Sequence, residues 1–269
     1  MSNEKVLLER KGKIAYIVFN RPEKLNAFNR EMFDGFEARL EELRHDDSVS
    51  VVILKGNGRA FSVGYDVGSD NPERKKLKSV TNDRDRLEAN LQRWLKVWDY
   101  PKPVIAQIQG YALAGGTQLA VCCDIVITSE EAVFGFPSLP LGGGYVGPLW
   151  TLAVGAQRSK LMDFTAGSKI SGKEAAEWGF AAKSFPEEVI EAETLKIAQA
   201  IAKTPLDILT LKKKAINRVM NVQGFREAIL FGAEWDAIIH QADGVKTTAE
   251  KIQELGLKGA IKWFNDQPV

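Results

Sequence analysis

Two glycine-bearing turns constrain the fold of this chain more than any other feature of its sequence. They are Arg59–Asp66 and Gly110–Gln118, and each follows a short apolar run, Val49–Lys55 or Val104–Ile108. A turn that leads from a strand into a helix leaves backbone N–H groups without intrahelical partners, and glycine lets a ligand approach that backbone closely. The pair therefore predicts an α/β fold with an oxyanion site where strands end. The alternative for either turn alone is a tight turn without a ligand.

Hydrophobic periodicity predicts the elements around these turns. A hairpin is predicted over Val6–Glu9 and Ile14–Asn20, with Gly12 in its turn, and helical spacing of apolar residues predicts a helix over Asn29–Arg44. The other predicted elements of this half are the strands Val49–Lys55, Val104–Ile108 and Ile125–Thr128 and the helices Arg84–Trp98 and Gly116–Cys123. Strand, helix and strand in this order build parallel sheets. The polar segment Gly68–Asp83 predicts a mobile surface loop.

The chain is predicted to be mainly helical from about Arg158 onward. Apolar residues recur there at helical spacing in long segments. The clearest of these segments are Ser171–Trp178, Ile190–Ala202, Asp207–Met220, Gly224–His240 and Thr247–Phe264.

Composition excludes several classes of function. The formal net charge of +1 gives no field that would attract nucleic acid or an anionic membrane. Cys122 and Cys123 lie in an apolar run and are typical of core residues, which fits a reducing, cytoplasmic setting. No run approaches the roughly 18 apolar residues of a membrane span, and no signal or transit peptide is recognised at the N-terminus.

Metal and nucleotide cofactors are also not expected. No His, Cys and carboxylate residues have metal-ligand spacing, and the only histidines, His45 and His240, are predicted to be surface or interface residues. Gly110–Gly116 does not have the GxGxxG spacing of a nicotinamide or flavin site. We therefore expect no metal and no separate cofactor.

Several spaced motifs, in the same order, resemble those of the crotonase family, also called the enoyl-CoA hydratase/isomerase family. They are Asn20–Ala27, Ala60–Asp66, Lys102–Ala106, Gly110–Gln118, Cys123–Ile125, Phe134–Gly135 and Ala175–Gly179. The resemblance covers nearly the whole chain. It implies a crotonase-type spiral of repeated strand–strand–helix units over residues 1–200, which holds the CoA and acyl site. It also implies a C-terminal helical region over residues 201–269 that helps to form trimers, often paired into hexamers.

The resemblance assigns roles to residues of both turns. The N–H groups of Val63 and Gly115 would form the oxyanion hole for a thioester carbonyl, and loss of one such donor typically costs about 100- to 1000-fold in rate. The substrate would be an acyl-CoA, so that coenzyme A is part of the substrate. The residues implied to bind it are Lys24, Leu25, Ala27, Val63, Gly64, Tyr65, Asp66, Val67 and Gly115. Lys24 would place its charge near the phosphates, whereas Arg74–Lys76 and Lys212–Lys214 are predicted to be solvated faces.

Two positions depart from the family pattern. Enoyl-CoA hydratases carry glutamates where this chain has Gln118 and Ser138. An amide does not titrate usefully and a lone serine hydroxyl is a poor base, so neither side chain replaces a carboxylate. The usual two-glutamate hydration is therefore in doubt. Asp124 is predicted to be structural and is not expected to replace them.

Tyr145 is a further candidate catalytic residue, in addition to Val63, Gly115, Gln118 and Ser138. It follows Leu141–Gly144 and resembles the tyrosine of some crotonase relatives that decarboxylate acyl groups or cleave C–C bonds; pocket lining is the alternative. Tyr65 is expected to narrow the pocket, and Asp66 to fix its turn. Three functions stay open: an enolate-forming acyl-CoA enzyme, a decarboxylase, retro-aldol enzyme or C–C bond hydrolase, and a catalytically silent CoA-binding protein.

Overall fold

The computed structural model describes residues 4–66, 79–136, 138–142 and 147–268. The strands are β1 Val6–Lys11, β2 Ile14–Phe19, β3 Val51–Gly56, β4 Ala60–Ser62, β5 Val104–Ile108, β6 Tyr111–Leu113, β7 Ile125–Ser129, β8 Val133–Gly135, β9 Lys169–Ser171 and β10 Lys183–Phe185. The helices are α1 Arg30–Arg44, α2 Val80–Trp98, α3 Gly115–Cys122, α4 Gly147–Val154, α5 Ala156–Phe164, α6 Gly172–Trp178, α7 Ile190–Ile201, α8 Leu206–Val222, α9 Phe225–Ile239 and α10 Asp243–Asn265.

The strands form two sheets. Six strands pair in the order β1-β2-β3-β5-β7-β10, and four short ones pair in the order β4-β6-β8-β9. The pairs β1/β2 and β8/β9 are antiparallel, and the others are parallel. The chain thus passes from a long strand to a short strand and then to a helix three times, as β3-β4-α2, β5-β6-α3 and β7-β8-α4. The predicted α/β spiral of strand–strand–helix units is confirmed.

Sequence periodicity located the long elements and missed the short strands. The strand predicted over Val104–Ile108 has the same bounds in the structure. The other predicted helices and long strands agree with the structure to within a few residues at their ends. The strands β4, β6 and β8 have three residues each. Three residues are too few for an alternating pattern to be recognised.

Local sequence explains why the chain folds into α1. Asn29 caps the helix, because its side-chain oxygen accepts a hydrogen bond from the Met32 N–H at 3.0 Å. The buried residues Met32, Phe36 and Leu40 recur at a spacing of four and form one face of the helix.

The long sheet is covered on both faces. On β2, Ala15, Ile17 and Phe19 belong to the main core, which contains α1 and α2 residues. The alternate residues Ile14, Tyr16 and Val18 pack in a second cluster with residues of α7. This alternation is the two-residue period of a strand, and burial of both faces is typical of parallel sheets.

Asp124 and Lys213 join the spiral to α8. Asp124 Oδ2 accepts hydrogen bonds from the Val104 N–H and from Lys213 Nζ, both at 2.7 Å. Burial raises the pKa of the Asp124 carboxyl, and the Lys213 charge opposes this rise. The structural role expected for Asp124 agrees with these contacts. The expectation of a solvated Lys212–Lys214 run was wrong for Lys213, which is buried while its two neighbours are exposed.

Among the described helices, none combines the length and the apolar character that crossing a bilayer requires. The cytoplasmic location stays a prediction. The division of the chain at residues 200 and 201 also stays a prediction.

Candidate functional site

The two glycine turns lie side by side because the short strands before them pair. Strand β4 runs parallel to β6, with Ala60 opposite Tyr111 and Ser62 opposite Ala112. Gly64 has a φ of +94°, and a Cβ placed on it would lie 2.7 Å from the Gly115 backbone nitrogen. No L-residue fits there without moving the backbone. The structure therefore places Gly64, the residue after the predicted donor Val63, against the predicted donor Gly115.

The second turn ends in a helix N-terminus. Gly115 is the first residue of α3, and Ala114 before it has φ 46° and ψ −117°. The N–H groups of Thr117 and Gln118 donate to the Ala114 carbonyl oxygen at 2.9 and 3.3 Å. In the described ranges the Gly115 N–H has no hydrogen-bond acceptor. It is one of the N–H groups that a helix start leaves unsatisfied.

The first turn is held by side chains. Asn26 is fully buried and accepts a hydrogen bond from the Arg21 N–H at 2.8 Å. Its Nδ2 donates to the carbonyl oxygens of Asn57 and Ala60, at 3.0 and 2.7 Å. The Ser62 hydroxyl donates to the Asn26 carbonyl oxygen at 2.8 Å. The Asn26 side chain thereby joins the Arg21 backbone to the segment from Asn57 to Ala60.

Val63, the predicted donor of this turn, differs from Gly115. Its N–H donates to the Leu25 carbonyl oxygen at 3.2 Å. Leu25 and Asn26 both have positive φ values, 51° and 54°, which places the Leu25 carbonyl toward the turn. A ligand oxygen would have to share the Val63 N–H with Leu25 or replace it.

Asp66 makes the kind of turn-fixing contact that was expected of it. Its Oδ2 accepts a hydrogen bond from Arg21 Nη1 at 2.6 Å, in an ion pair, and Arg21 also donates to the Ala27 carbonyl oxygen. The Asp66 N–H donates to the Phe28 carbonyl oxygen at 2.9 Å. These bonds hold the end of the first turn against the segment that contains the predicted CoA-binding residues.

Tyr65 links the two turns. A Cβ placed on Gly115 would lie 2.7 Å from Cε2 of the Tyr65 ring, so the ring covers Gly115. The Tyr65 hydroxyl donates to Gln118 Oε1 at 2.8 Å and accepts a hydrogen bond from Trp94 Nε1 at 2.9 Å. Gln118 is 1% exposed, and its Nε2 has no hydrogen-bond partner in the described ranges. Tyr65 does fill space at Gly115, as expected for a residue that narrows the site.

The other predicted site residues are spread more widely. Lys24 ends a short 3-10 helix, is exposed and forms no ion pair with the described residues; Leu25 is half-buried and Ala27 buried. Ser138 is half-buried, and its Cα would lie 3.3 Å from a Cβ placed on Gly167. Within the described ranges no hydrogen bond joins Ser138 to Gln118. The predicted site residues Val67 and Tyr145 lie outside the described residues.

A buried charged cluster was missed by the sequence analysis. His240 Nδ1 lies 2.6 Å from Asp83 Oδ2, and the side chains are 22% and 4% exposed. Asp236 Oδ1 is 3.8 Å from His240 Nε2, and Arg86 pairs with Asp83 at 2.7 Å. A Cβ placed on Gly142 would lie 2.6 Å from His240 Nε2. His240, expected to be a surface or interface residue, is half-buried and contacts two buried carboxylates. The i,i+4 spacing of Asp236 and His240 was the one available signal, but their contact with Asp83 depends on tertiary packing.

The contacts of this cluster shift the pKa values of His240 and Asp83 in opposite directions. Burial alone would lower the His240 pKa, but the hydrogen bond to Asp83 and the charge of Asp236 raise it above its ordinary value. Burial would raise the pKa of Asp83, but His240 and Arg86 lower it below its usual range. Each shift favours the charged form of its group.

A cavity of about 430 Å³ lies at the opposite end of α3 from Gly115. It is lined mainly by apolar side chains, including Trp98, Val121, Leu152 and Phe225. None of the predicted site residues lines it. In the part of the chain that the structure describes, no group of three or more His, Cys, Asp or Glu side chains could hold a metal ion.

The spiral fold and the two apposed turns define an α/β protein of the crotonase type. The family model for enoyl-CoA hydratase/isomerase matches residues 9–253. The chain is 32% identical over 228 residues to a protein of Rhizobium meliloti (strain 1021) named "Probable enoyl-CoA hydratase", covering 82% of this chain and 84% of that one. It is 30% identical over 220 residues to the mitochondrial enoyl-CoA hydratase of Pongo abelii, covering 80% and 73%.

Solved structures give the same result. An enoyl-CoA hydratase/isomerase from Xanthobacter autotrophicus Py2 superimposes with a TM-score of 0.90 at 31% identity, over 100% of both chains. The chain belongs to the enoyl-CoA hydratase/isomerase family, which confirms the resemblance of the motifs. It is an acyl-CoA-processing enzyme of that family, with its exact reaction open.

Proposed function

We propose that this enzyme binds the carbonyl oxygen of an acyl-CoA thioester at the N–H groups of Gly115 and Val63 and stabilises the enolate formed from it. The observation that carries the proposal is the contact between the turns, where Gly64 leaves no room for a Cβ beside the Gly115 nitrogen. Two donors from separate turns can then converge on one oxygen. Donors fixed in advance stabilise a developing oxyanion without reorganising during the reaction.

The two N–H groups differ in their hydrogen bonding before a substrate is bound. The Gly115 N–H is unsatisfied in the described ranges and lies at a helix N-terminus, which favours negative charge. The Val63 N–H has its 3.2 Å bond to Leu25, which is long for an N–H···O hydrogen bond. We propose that the substrate oxygen shares or displaces this bond.

We also propose that the reaction proceeds without a pair of catalytic carboxylates. Gln118 is hydrogen-bonded to Tyr65, and neither Gln118 nor Ser138 can act as a carboxylate base. Abstraction of a proton, loss of a carboxyl group or cleavage of a C–C bond would each yield the enolate that the two N–H groups are proposed to stabilise. For the C–C cleaving alternatives, Tyr145 and Ser138 are proposed to position the substrate, and the Tyr145 phenol to protonate the enolate.

Carbonyl polarisation tests this proposal directly. Difference infrared spectra of bound butyryl-CoA labelled with ¹³C at the thioester carbonyl should show the carbonyl stretch at lower frequency than in water. The Gly115→Ala variant, whose Cβ would lie 2.7 Å from the Tyr65 ring and must displace the ring or the N–H, should reduce this shift. A bound thioester whose carbonyl frequency equals that of the free ligand would overturn the proposal.

A substrate panel separates the alternatives for the reaction. Turnover of malonyl-CoA or β-hydroxyacyl-CoA that falls in Tyr145→Phe would favour decarboxylation or C–C cleavage. Hydration of crotonyl-CoA that survives replacement of both Gln118 and Ser138 by alanine would contradict the loss of the usual route. Tight binding of acyl-CoA without any turnover would favour the catalytically silent protein.

Lys24 is the proposed contact of the CoA phosphates. Its side chain is exposed beside the half-buried Leu25 and forms no ion pair in the described ranges. A charge-assisted contact with phosphate is free to form there. The measurement is the affinity for CoA in Lys24→Met, which should fall and should lose part of its salt dependence.

We further propose that the enzyme assembles as a homotrimer or hexamer through its C-terminal helices. Large apolar side chains are exposed along α8 and α9, namely Ile208, Leu211, Ile216, Val219, Val222, Phe231, Trp235 and Ile238. Such patches on a soluble domain mark interaction surfaces. Light scattering should give three or six chain masses, and Trp235→Glu should reduce the mass, whereas Val189→Glu at the N-cap of α7 should not.

A further inference from the structure

We propose that His240 is a positioning residue for the segment 138–142, which carries the candidate catalytic Ser138. Held between Asp83 and Asp236, its imidazole fixes this segment, so that the rate of the reaction depends on the charge of the imidazole. The inference rests on the proposed function, because it takes the acyl group to lie beside Ser138. His240 itself lies at the C-terminal end of α9, and its effect on the site passes through the segment.

The His240 ring is held by charged side chains of two helices. Its Nδ1 lies 2.6 Å from Asp83 Oδ2 on α2, and its Nε2 lies 3.8 Å from Asp236 Oδ1 on α9. Arg86 pairs with Asp83 from the next turn of α2 at 2.7 Å. Because both carboxylates are buried and α2 packs against α9, the ring is fixed from both sides.

The segment lies directly against the edge of this ring. Gly142 has a φ of +139°, and a Cβ placed on it would lie 2.6 Å from His240 Nε2 and 2.8 Å from Asp236 Oδ1. No side chain fits between the segment and the cluster at this point. The backbone of Gly142 is therefore in contact with the same nitrogen of His240 that faces Asp236.

The chain before the segment is joined to the second glycine turn. The Gly135 carbonyl oxygen accepts a hydrogen bond from the Ala114 N–H at 3.1 Å, and Ala114 directly precedes Gly115. Ser138 lies in sequence between this bond and the contact of Gly142 with His240. Since so short a chain has a limited reach, a shift at Gly142 displaces Ser138 relative to Gly115.

The proton that titrates is the one that faces the segment. Nδ1 donates to Asp83 in the charged ring and in the neutral tautomer that keeps this bond, so deprotonation removes the Nε2 proton. The neutral ring then presents a lone pair to Asp236 Oδ1 and to the Gly142 backbone. A lone pair repels a carboxylate oxygen, whereas an N–H attracts it. Loss of the proton therefore weakens the contact that fixes the segment.

The pH dependence follows from the charged groups around the ring. These are Asp83 and Arg86 on α2, Asp236 on α9, and Asp163 on α5, whose pKa is raised by burial and by the charge of Asp236. Burial lowers the His240 pKa, but the hydrogen bond to Asp83 and the charge of Asp236 raise it above its ordinary value of about 6.5. The segment should be fully held below about pH 6.5 and less firmly as the pH rises through the folded pKa.

Steady-state kinetics of His240→Gln tests the proposal, with the acyl-CoA of the panel above that the enzyme turns over fastest. Glutamine keeps a hydrogen-bond donor for Asp83 but cannot take up the charge. At about pH 6, kcat should fall about 10-fold because Ser138 is misplaced, whereas KM should change less than about 2-fold. The wild-type kcat should fall as the pH rises through the His240 pKa, and the variant should lack this step.

His45→Gln is the matched control, because the chain contains only two histidines. His45 is exposed at the end of α1, with its Nε2 3.0 Å from Glu41. The control should keep both the rate and the pH step of the wild type. Melting temperatures identify partial unfolding, which would lower the amount of active enzyme without removing the pH step from the rest.

Hydrogen exchange separates this inference from the proposed function. The Leu141 N–H donates to the Leu139 carbonyl oxygen at 2.9 Å, and without substrate it should exchange about 5-fold faster in His240→Gln. Unchanged exchange there, an unchanged kcat, or a pH step that persists in His240→Gln would each overturn the inference. Failure of the proposed function has a different signature: bound butyryl-CoA would keep its free carbonyl frequency while the exchange still responds to His240→Gln.

Discussion

The two turns of the site are held in place by different kinds of contact. The first turn, around Val63, is held by side chains of other segments: Asn26 bonds three backbone groups around it, and Arg21 pairs with Asp66. The second turn, at Gly115, is held by the helix that starts there. The first N–H has a partner in Leu25, whereas the second is left unsatisfied in the described ranges.

This difference shows what each turn depends on. A helix N-terminus presents N–H groups without further support, since the helix geometry itself leaves them unpaired. A turn without a following helix needs bonds from elsewhere to hold its backbone. The first turn should therefore be sensitive to distant side chains, and the second to steric crowding at its own glycines.

The largest expected effect is on the first turn. Asn26→Ala removes three hydrogen bonds of a fully buried amide, so the free energy of unfolding should fall by about 3 kcal/mol. Urea denaturation measures it. Thr117→Val in the second turn removes the hydroxyl that bonds Ala114 and Trp150 and should cost about half as much.

Asn265→Ala, at an exposed helix end, is the control and should be nearly neutral. If Asn26→Ala destabilised the protein no more than Thr117→Val does, the two turns would not differ in the way described.

Steric crowding at the second turn should lower the enzymatic activity. A Cβ at position 115 would meet the Tyr65 ring at 2.7 Å, so Gly115→Ala must displace the ring or the N–H. We expect kcat/KM to fall about 100-fold, as for the loss of one oxyanion donor. Steady-state kinetics on the preferred acyl-CoA measures it.

Gly244→Ala controls for a helical glycine replaced in open space, since a Cβ there meets nothing within 4 Å. Adding Tyr65→Ala to Gly115→Ala should restore part of the activity by removing the ring. Full activity of Gly115→Ala alone would mean that the second turn tolerates crowding.

The smallest expected effect is on stability, through His240, which contacts the loop after β8. The Ala114 N–H donates to the Gly135 carbonyl oxygen, and the loop after β8 reaches Gly142, which packs on His240. Because the folded protein raises the His240 pKa, the protonated form stabilises the fold fully below about pH 6.5, its ordinary value. This contribution should be lost as the pH rises through the folded pKa.

The measurement is the free energy of unfolding as a function of pH in the wild type and in His240→Gln. The variant should lose about 1 kcal/mol at the acidic end of this window and less at the alkaline end. Asp83, Asp236 and Arg86 stay in both proteins. Because His240 also lowers the pKa of Asp83, the two curves are compared above the acidic range in which Asp83 titrates. Parallel curves would show that His240 titrates as it does in the unfolded chain.

Helix α8 illustrates which structural features can be predicted from the sequence and which cannot. Periodicity predicted the helix over Asp207–Met220, close to the observed Leu206–Val222, because apolar spacing is a local property. The same sequence gave no reason to separate Lys213 from Lys212 and Lys214. Its burial depends on Asp124, which is 89 residues away in the chain.

The sequence by itself determined the family, the order of the long elements and the two glycine turns, because these depend on local spacing and on residues that are contiguous in the chain. The tertiary structure decided how those turns are used. It pairs β4 with β6, places Tyr65 over Gly115 and buries the Gln118 Nε2 donor without a partner among the described residues. The hydrogen bonds Tyr65–Gln118 and Asp83–His240 join residues that are 53 and 157 positions apart, so they form only when the tertiary structure brings these residues together.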